Sequence, residues 1–216
     1  MKKTIIGIIC VIIILIIGFT IFNMNKKETK DNNEESKKST EIKKGEETMY
    51  LTGTHKAEIT VKNYGTIKLE LNADVAPITV TNFVKLVNEG FYDGLTFHRI
   101  ISGFMIQGGD PLGNGTGGSN EQIKGEFTAN GVQNNISHTR GTISMARALD
   151  YNSASSQFFI VHEDSTFLDG QYAGFGTVLE GMEFVDKICE DTKAEDSNGT
   201  VLKENQPVIE KIVMVD

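Results

Sequence analysis

The sequence predicts a mainly β domain, a barrel or a sandwich, and two observations carry that prediction. From residue 55 onward, short runs of alternating apolar and polar residues recur, rich in Val, Ile, Thr and Phe. Only two segments change to the three-and-four spacing of a helix face. Many short strands with so few helices do not build a doubly wound sheet.

The elements follow in order. HKAEITVKNYGTIKLEL, residues 55–71, reads as two strands around an Asn63-Tyr64-Gly65 turn. Val80, Phe83, Val84 and Val87 then recur at helical spacing, on a helix opened by Pro77 and closed near Gly90. Further strands are expected over 95–101, 104–107, 142–147, 157–162 and 173–178. A second helix fits 180–190, and PVIEKIVMVD closes the chain as a strand.

Ahead of this domain, expected over 49–216, stand two other segments. Residues 4–22, TIIGIICVIIILIIGFTIF, carry no charge and follow Lys2 and Lys3. As a helix at ~1.5 Å per residue they span roughly 28 Å, close to a hydrocarbon core. Residues 1–24 therefore read as a membrane anchor, with a cleaved signal as the competing reading. Cys10 invites a lipoprotein reading, but Ile9 stands where such signals carry a small residue. Residues 25–48 hold seven lysines, seven acids and one large apolar residue, Ile42. Such a segment buries too little to offset its ordering entropy and reads as a solvated tether. An anchor of this kind places the domain outside the cell, tethered or, if the signal is cut, secreted.

Residues 49–216 carry 22 acids against 12 basic residues, which argues against nucleic acid or an anionic membrane as the domain's ligand. Cys189 is its only cysteine, so no disulfide forms within it. His55, His98, His138 and His162 lack metal-type spacing. No GxSxG elbow surrounds any serine, although a Ser-His-Asp triad can assemble in space. GNGTGG, residues 113–118, matches the glycine pattern of a dinucleotide loop, but no apolar helix stripe follows it. It reads as a flexible glycine turn.

Five segments combine large apolar residues with uncharged or cationic donors: FHR at 97–99, FMIQGG at 104–109, GTISMARA at 141–148, SSQFFI at 155–160 and FLDGQYAGFG at 167–176. Together, in unbroken order over residues 55–215, they resemble the cyclophilin family of peptidyl-prolyl isomerases, and its compact bacterial branch most. The resemblance implies a closed antiparallel β-barrel of about eight strands capped by two α-helices. It places the active site in a shallow surface groove.

The matching positions are Arg99, Phe104, Met105, Gln107, Ala146, Gln157, Phe159 and Leu168. Phe167 stands where the best-known members have tryptophan, and Tyr172 where they have histidine. Ser102 replaces a common proline, and Arg147 a frequent asparagine whose backbone is the usual substrate contact. Arg99 and Gln107 are the implied catalytic pair, Arg99 as donor and Gln107 either orienting it or contacting the substrate backbone. Phe104, Met105, Ala146, Arg147, Gln157, Phe159, Phe167, Leu168 and Tyr172 are the implied substrate-binding residues. The implied ligands are proline-containing extended polypeptides and, weakly because of Phe167, cyclosporin. No cofactor is implied.

Overall fold

The computed structural model describes residues 49–215. The expected anchor over 1–24 and tether over 25–48 lie outside the described residues. Among those described, no helix is long and apolar enough to cross a membrane.

Strands β1 (Thr54–Val61) and β2 (Gly65–Asn72) form the first hairpin, with Ala57, Ile59, Val61, Ile67, Leu69 and Leu71 all turned inward. Asn63 takes φ 68° in the turn between them. Gly65 follows with φ +151°, and a Cβ there would meet the Phe184 ring at 2.5 Å. The turn thus needs glycine for space as well as for conformation.

Helix α1 (Pro77–Asn88) starts on its proline and buries Val80, Phe83, Leu86 and Val87, while Val84 is half-buried. Its own N-cap offers no side chain. Instead the buried Glu126 carboxylate accepts from Ile78 N, Thr79 N and Thr79 Oγ1 at 3.0, 2.7 and 2.7 Å. A carboxylate at that end satisfies orphan donors and opposes the helix dipole.

Then come β3 (Phe97–Ile101), β4 (Met105–Gly108), β5 (Thr142–Met145), β6 (Phe158–Val161) and β7 (Gly174–Glu180). Helix α2 (Met182–Asp191) buries Val185, Ile188 and Cys189, and β8 (Ile209–Met214) ends the fold. Each expected element is present, with ends moved by at most two residues. Strand-forming composition spills past the last ladder bond, so it marks an end poorly.

All eight strands join one antiparallel sheet in the order β3-β4-β6-β5-β7-β2-β1-β8. It curls around a core where Phe83 meets Tyr92, Phe158 and Phe175 at ring-centroid distances of 5.2, 5.7 and 5.3 Å. A single sheet excludes the sandwich. The expected closed barrel is also corrected, because β3 and β8 share no ladder. They meet at one bridge, Thr96 with Val208, flanked by Phe97 N donating to Pro207 O and Ile209 N to Leu95 O. Pro207 has no N–H to extend the pairing. The rest of the outer side of β3 is taken by a loop: Ile100 N donates to Gly199 O and Val201 N to His98 O, and Thr200 bridges Arg99. The sheet is curled but open at this seam.

Candidate active site

Three neighbouring strands set the site by register. Arg99 on β3 faces Gln107 on β4, and Gln107 faces Phe159 on β6. The three side chains form a row on the sheet's outer face. Around it a smaller apolar cluster gathers Met105, Phe159 and Val161 with Phe104, Ala146, Leu168 and Tyr172, apart from the main core. The backbone leaves β4 through Gly109 (φ +82°), where a Cβ would meet Ser156 O at 2.5 Å.

Arg99 is held from two sides. Its Nε donates to Asn198 O at 2.7 Å and its Nη1 to Gln107 Oε1 at 3.2 Å, with Met105 Sδ 3.6 Å from Nη1. Gln107 Nε2 donates to Gln157 Oε1 at 2.9 Å, and Gln157 Nε2 donates to Gly117 O and Gly115 O at 2.7 and 3.1 Å. The glycine turn 113–118 thus anchors a relay of amides that ends on the guanidinium. Burial lowers the Arg99 pKa, while Tyr172 and Asp196 act against the shift. A guanidinium nevertheless stays charged.

Arg99, Phe104, Met105, Gln107, Ala146, Arg147, Phe159, Leu168 and Tyr172 line one open cavity of about 230 Å³. Gln157 belongs instead to an adjoining polar cavity of about 350 Å³ that shares Gln107, Ala146 and Arg147. Phe167 lines neither. It is 67% exposed and lies against Phe104, ring centroids 5.6 Å apart.

The Arg147 side chain is committed to the wall. Nε and Nη2 donate to Gln171 O at 3.1 and 2.9 Å, and Nη1 to Ala148 O at 2.9 Å. Its guanidinium carbon lies 4.6, 4.9 and 5.1 Å from the ring centroids of Tyr172, Tyr151 and Phe127. Nothing in the spacing of the sequence signals that cage.

A Ser-His-Asp line does assemble beneath Phe159. Asp169 Oδ1 lies 2.8 Å from His138 Nδ1, and His138 Nε2 lies 2.9 Å from Ser144 Oγ. Both His138 and Ser144 are fully buried, so no substrate can reach the hydroxyl. The imidazole stacks under Phe159 at 6.0 Å and braces the pocket floor. The other residue that sequence reasoning missed is Asn198. It acts through its carbonyl, which any residue carries, so composition holds no trace of it.

A rigid apolar pocket the size of a small ring, with a fixed cation on its wall, defines a site that can stabilise a twisted amide. That is the class of the peptide-bond rotamases. Residues 56–214 match the family model for cyclophilin type peptidyl-prolyl cis-trans isomerase/CLD. Peptidyl-prolyl cis-trans isomerase B of Bacillus subtilis is 49% identical over 138 residues, covering 64% of this chain and 87% of that protein. A peptidyl-prolyl cis-trans isomerase of Helicobacter pylori is 48% identical over 135 residues, covering 61% and 80%. A Cryptosporidium parvum cyclophilin, solved in the presence of the dipeptide Ala-Pro, superposes with TM-score 0.65 at 32% identity, covering 74% of this chain and 99% of its own. The chain belongs to the cyclophilin family and is a peptidyl-prolyl cis-trans isomerase.

Proposed function

We propose that this isomerase turns X-Pro bonds in exported polypeptides from a membrane tether, with Arg99 as its chemical group. The observation that carries the reading is Arg99, held by Gln107 and Asn198 over a pocket walled by Phe104, Met105, Phe159 and Leu168.

Amide resonance sets a barrier of ~18–20 kcal/mol, and unaided X-Pro exchange takes roughly tens to hundreds of seconds. Halfway through the rotation resonance is lost and the prolyl nitrogen regains a lone pair. A guanidinium N–H aimed at it stabilises that state over both planar ones, which is the condition for raising the rate. Three of the guanidinium's five donors are already taken, by Asn198 O, Gln107 Oε1 and Met105 Sδ, which fixes the remaining two in orientation. The apolar walls seat the proline ring and keep water from weakening the donor. The Tyr172 hydroxyl holds the substrate carbonyl. The steps need no nucleophile, so the buried Ser144 has no part in them.

The export setting rests on the uncharged run 4–22 and the polar stretch after it. Residues 49–216 alone should isomerise a proline-containing peptide in a protease-coupled assay, with or without a chelator. Tight peptide binding with no change in exchange rate would overturn the catalytic reading. Loss in chelator with recovery on added metal would overturn the assignment to Arg99. In whole cells the chain should stay with membranes through a carbonate wash, with its domain open to protease added outside. A mature form starting after residue 22 and free in the medium would replace the anchor by a cleaved signal.

A further inference from the structure

Strands β3 and β4 turn at Ser102 and Gly103, and the next residue, Phe104, is one wall of the proline pocket. The turn closes with Phe104 N donating to Ile101 O at 3.0 Å, and Gly103 takes φ +82°. On its other side β4 pairs with β6 only as far as Met105 opposite Val161. One further main-chain bond, from His162 N to Phe104 O at 2.8 Å, continues that line. The reciprocal bond does not form, because Phe104 N is spent on the turn and the His162 carbonyl accepts from Arg140 Nη1 at 2.8 Å.

The His162 side chain takes its place. Nδ1 accepts a hydrogen bond from Gly103 N at 2.9 Å, one residue further along the turn than the ladder reaches. A ring nitrogen that accepts carries no proton, so the neutral ring keeps its N–H on Nε2. That edge faces α2, where Nε2 stands 3.1 Å from Asp186 Oδ1 at an angle too oblique for a hydrogen bond. Asp186 Oδ2 accepts from Arg140 Nη2 at 2.8 Å, and the same guanidinium holds the His162 carbonyl. The imidazole is thus set from behind, with only 12% of the side chain exposed.

We propose that His162 is a positioning residue for the proline pocket, holding the Gly103 peptide so that the Phe104 ring keeps its place as a wall. The inference rests on the isomerase reading of that pocket. Gly103 is exposed, so water would satisfy its N–H if the imidazole were gone. What the bond adds is direction. The peptide units 102–103, 103–104 and 104–105 are each tied, the first to His162 Nδ1, the second to Ile101 O and the third to His162 N. Glycine has the widest backbone freedom, so an untied Gly103 would let the turn swing and carry Phe104 with it. Arg99 keeps its own supports, Asn198 O and Gln107 Oε1, so the loss would fall on the seat of the proline ring rather than on the donor.

The test uses the full chain in detergent with two variants. His162→Leu fills space but cannot accept, and His162→Asn offers an Oδ1 where Nδ1 stood. Exchange spectroscopy on a proline-containing peptide gives KM and kcat separately, and thermal melting gives stability. His162→Leu should raise KM about three- to tenfold with kcat within about twofold, and His162→Asn should recover most of the loss. A leucine variant with unchanged KM in its folded fraction, however low its melting temperature, would make His162 merely structural. An asparagine variant no better than leucine would overturn the acceptor role. If neither variant folds, the natural chain decides. Its Gly103 amide should exchange at least about tenfold more slowly than a free amide, and His162 should carry its proton on Nε2. A fast Gly103 amide or a proton on Nδ1 would overturn the proposal. Peptide binding without turnover in the natural chain would overturn the isomerase reading instead, and weaker binding by the leucine variant would still support His162.

Discussion

The guanidinium carbon of Arg147 lies 4.6 Å from the ring centroid of Tyr172, and the same group donates twice to the carbonyl of Gln171. One side chain therefore ties the segment after β5 to the segment before β7. Both segments line the groove.

Replacing Arg147 by methionine keeps an unbranched but shorter side chain and removes the charge and every side-chain donor. Stability should fall by about 1–3 kcal/mol, as expected for a stacked cation with several hydrogen bonds. The loosened wall should raise KM more than it lowers kcat. Denaturant midpoints and initial rates measure the two effects. An unchanged midpoint would show that the cage contributes nothing.

Arg99→Ala should lower kcat/KM by about two orders of magnitude or more, because a charge-assisted donor in a desolvated site is worth ~3 kcal/mol at the transition state. The melting temperature should hardly move. A large drop in melting temperature with full activity in the folded fraction would make Arg99 a structural ion instead.

Asp196 shapes the loop that carries Asn198. Its carboxylate accepts from Asn198 N, Thr200 N and Thr200 Oγ1, each at 3.0 Å, and the bonds from Thr200 come first among those holding its pKa down. Asp196→Ala should let the Asn198 carbonyl drift from Arg99 Nε and cut turnover roughly three- to tenfold through misplacement of the donor. Asp196→Asn, which keeps one acceptor oxygen, should recover part of the loss. If the alanine variant turns over peptide at the full rate, the loop does not position the arginine.

Phe167→Trp should tighten cyclosporin by about one to two decades, since indole adds an N–H donor and a broader apolar face. Isomerisation should stay within a few fold, because Phe167 lies against Phe104 outside the pocket lining. Calorimetric titration of both forms checks it, and equal affinities would remove Phe167 as the determinant.

Burial lowers the pKa of His98 and of His138. The unfolded chain, with ordinary histidines near ~6.5, therefore takes up protons first as pH falls. The stability these groups confer is whole above that value, erodes as pH falls past it and is fully lost below the lowered folded values. Asp169 adds a loss at stronger acid. Burial raises its pKa, but the bonds from Ser137 and His138 outweigh burial and hold it below the ordinary carboxylate value. Melting temperature should thus fall from about pH 7.5 to about pH 5.5, less steeply in His138→Gln. An equal slope in the variant would put the proton uptake elsewhere.

Much of this was legible in the chain because strand alternation and the FHRII and SQFFI segments speak directly of facing and burial. Ile59, Ile67 and Leu69 alternate with polar neighbours and do point inward. Arg99 and Gln107, eight apart across a turn, do meet. What could not be read is what depends on distant backbone. The seam beside Pro207, the carbonyl of Asn198 and the Glu126 cap all join segments far apart in sequence through groups that carry no periodicity. Gln157 and Phe167 lie in the same neighbourhood, Gln157 in the adjoining polar cavity and Phe167 against Phe104 at the rim.

The seam between β3 and β8 also governs what this protein can be caught by. An enzyme that handles extended chains risks having them join its own sheet, since a bare strand edge recruits any segment with free N–H and C=O groups. Here the two sheet ends are turned toward each other, and residues 199–201 spend the remaining bonding groups of β3. A passing chain meets no long run of unsatisfied backbone there. It can be gripped through its side chains in the groove and then let go, which keeps a catalyst from becoming a seed for aggregation.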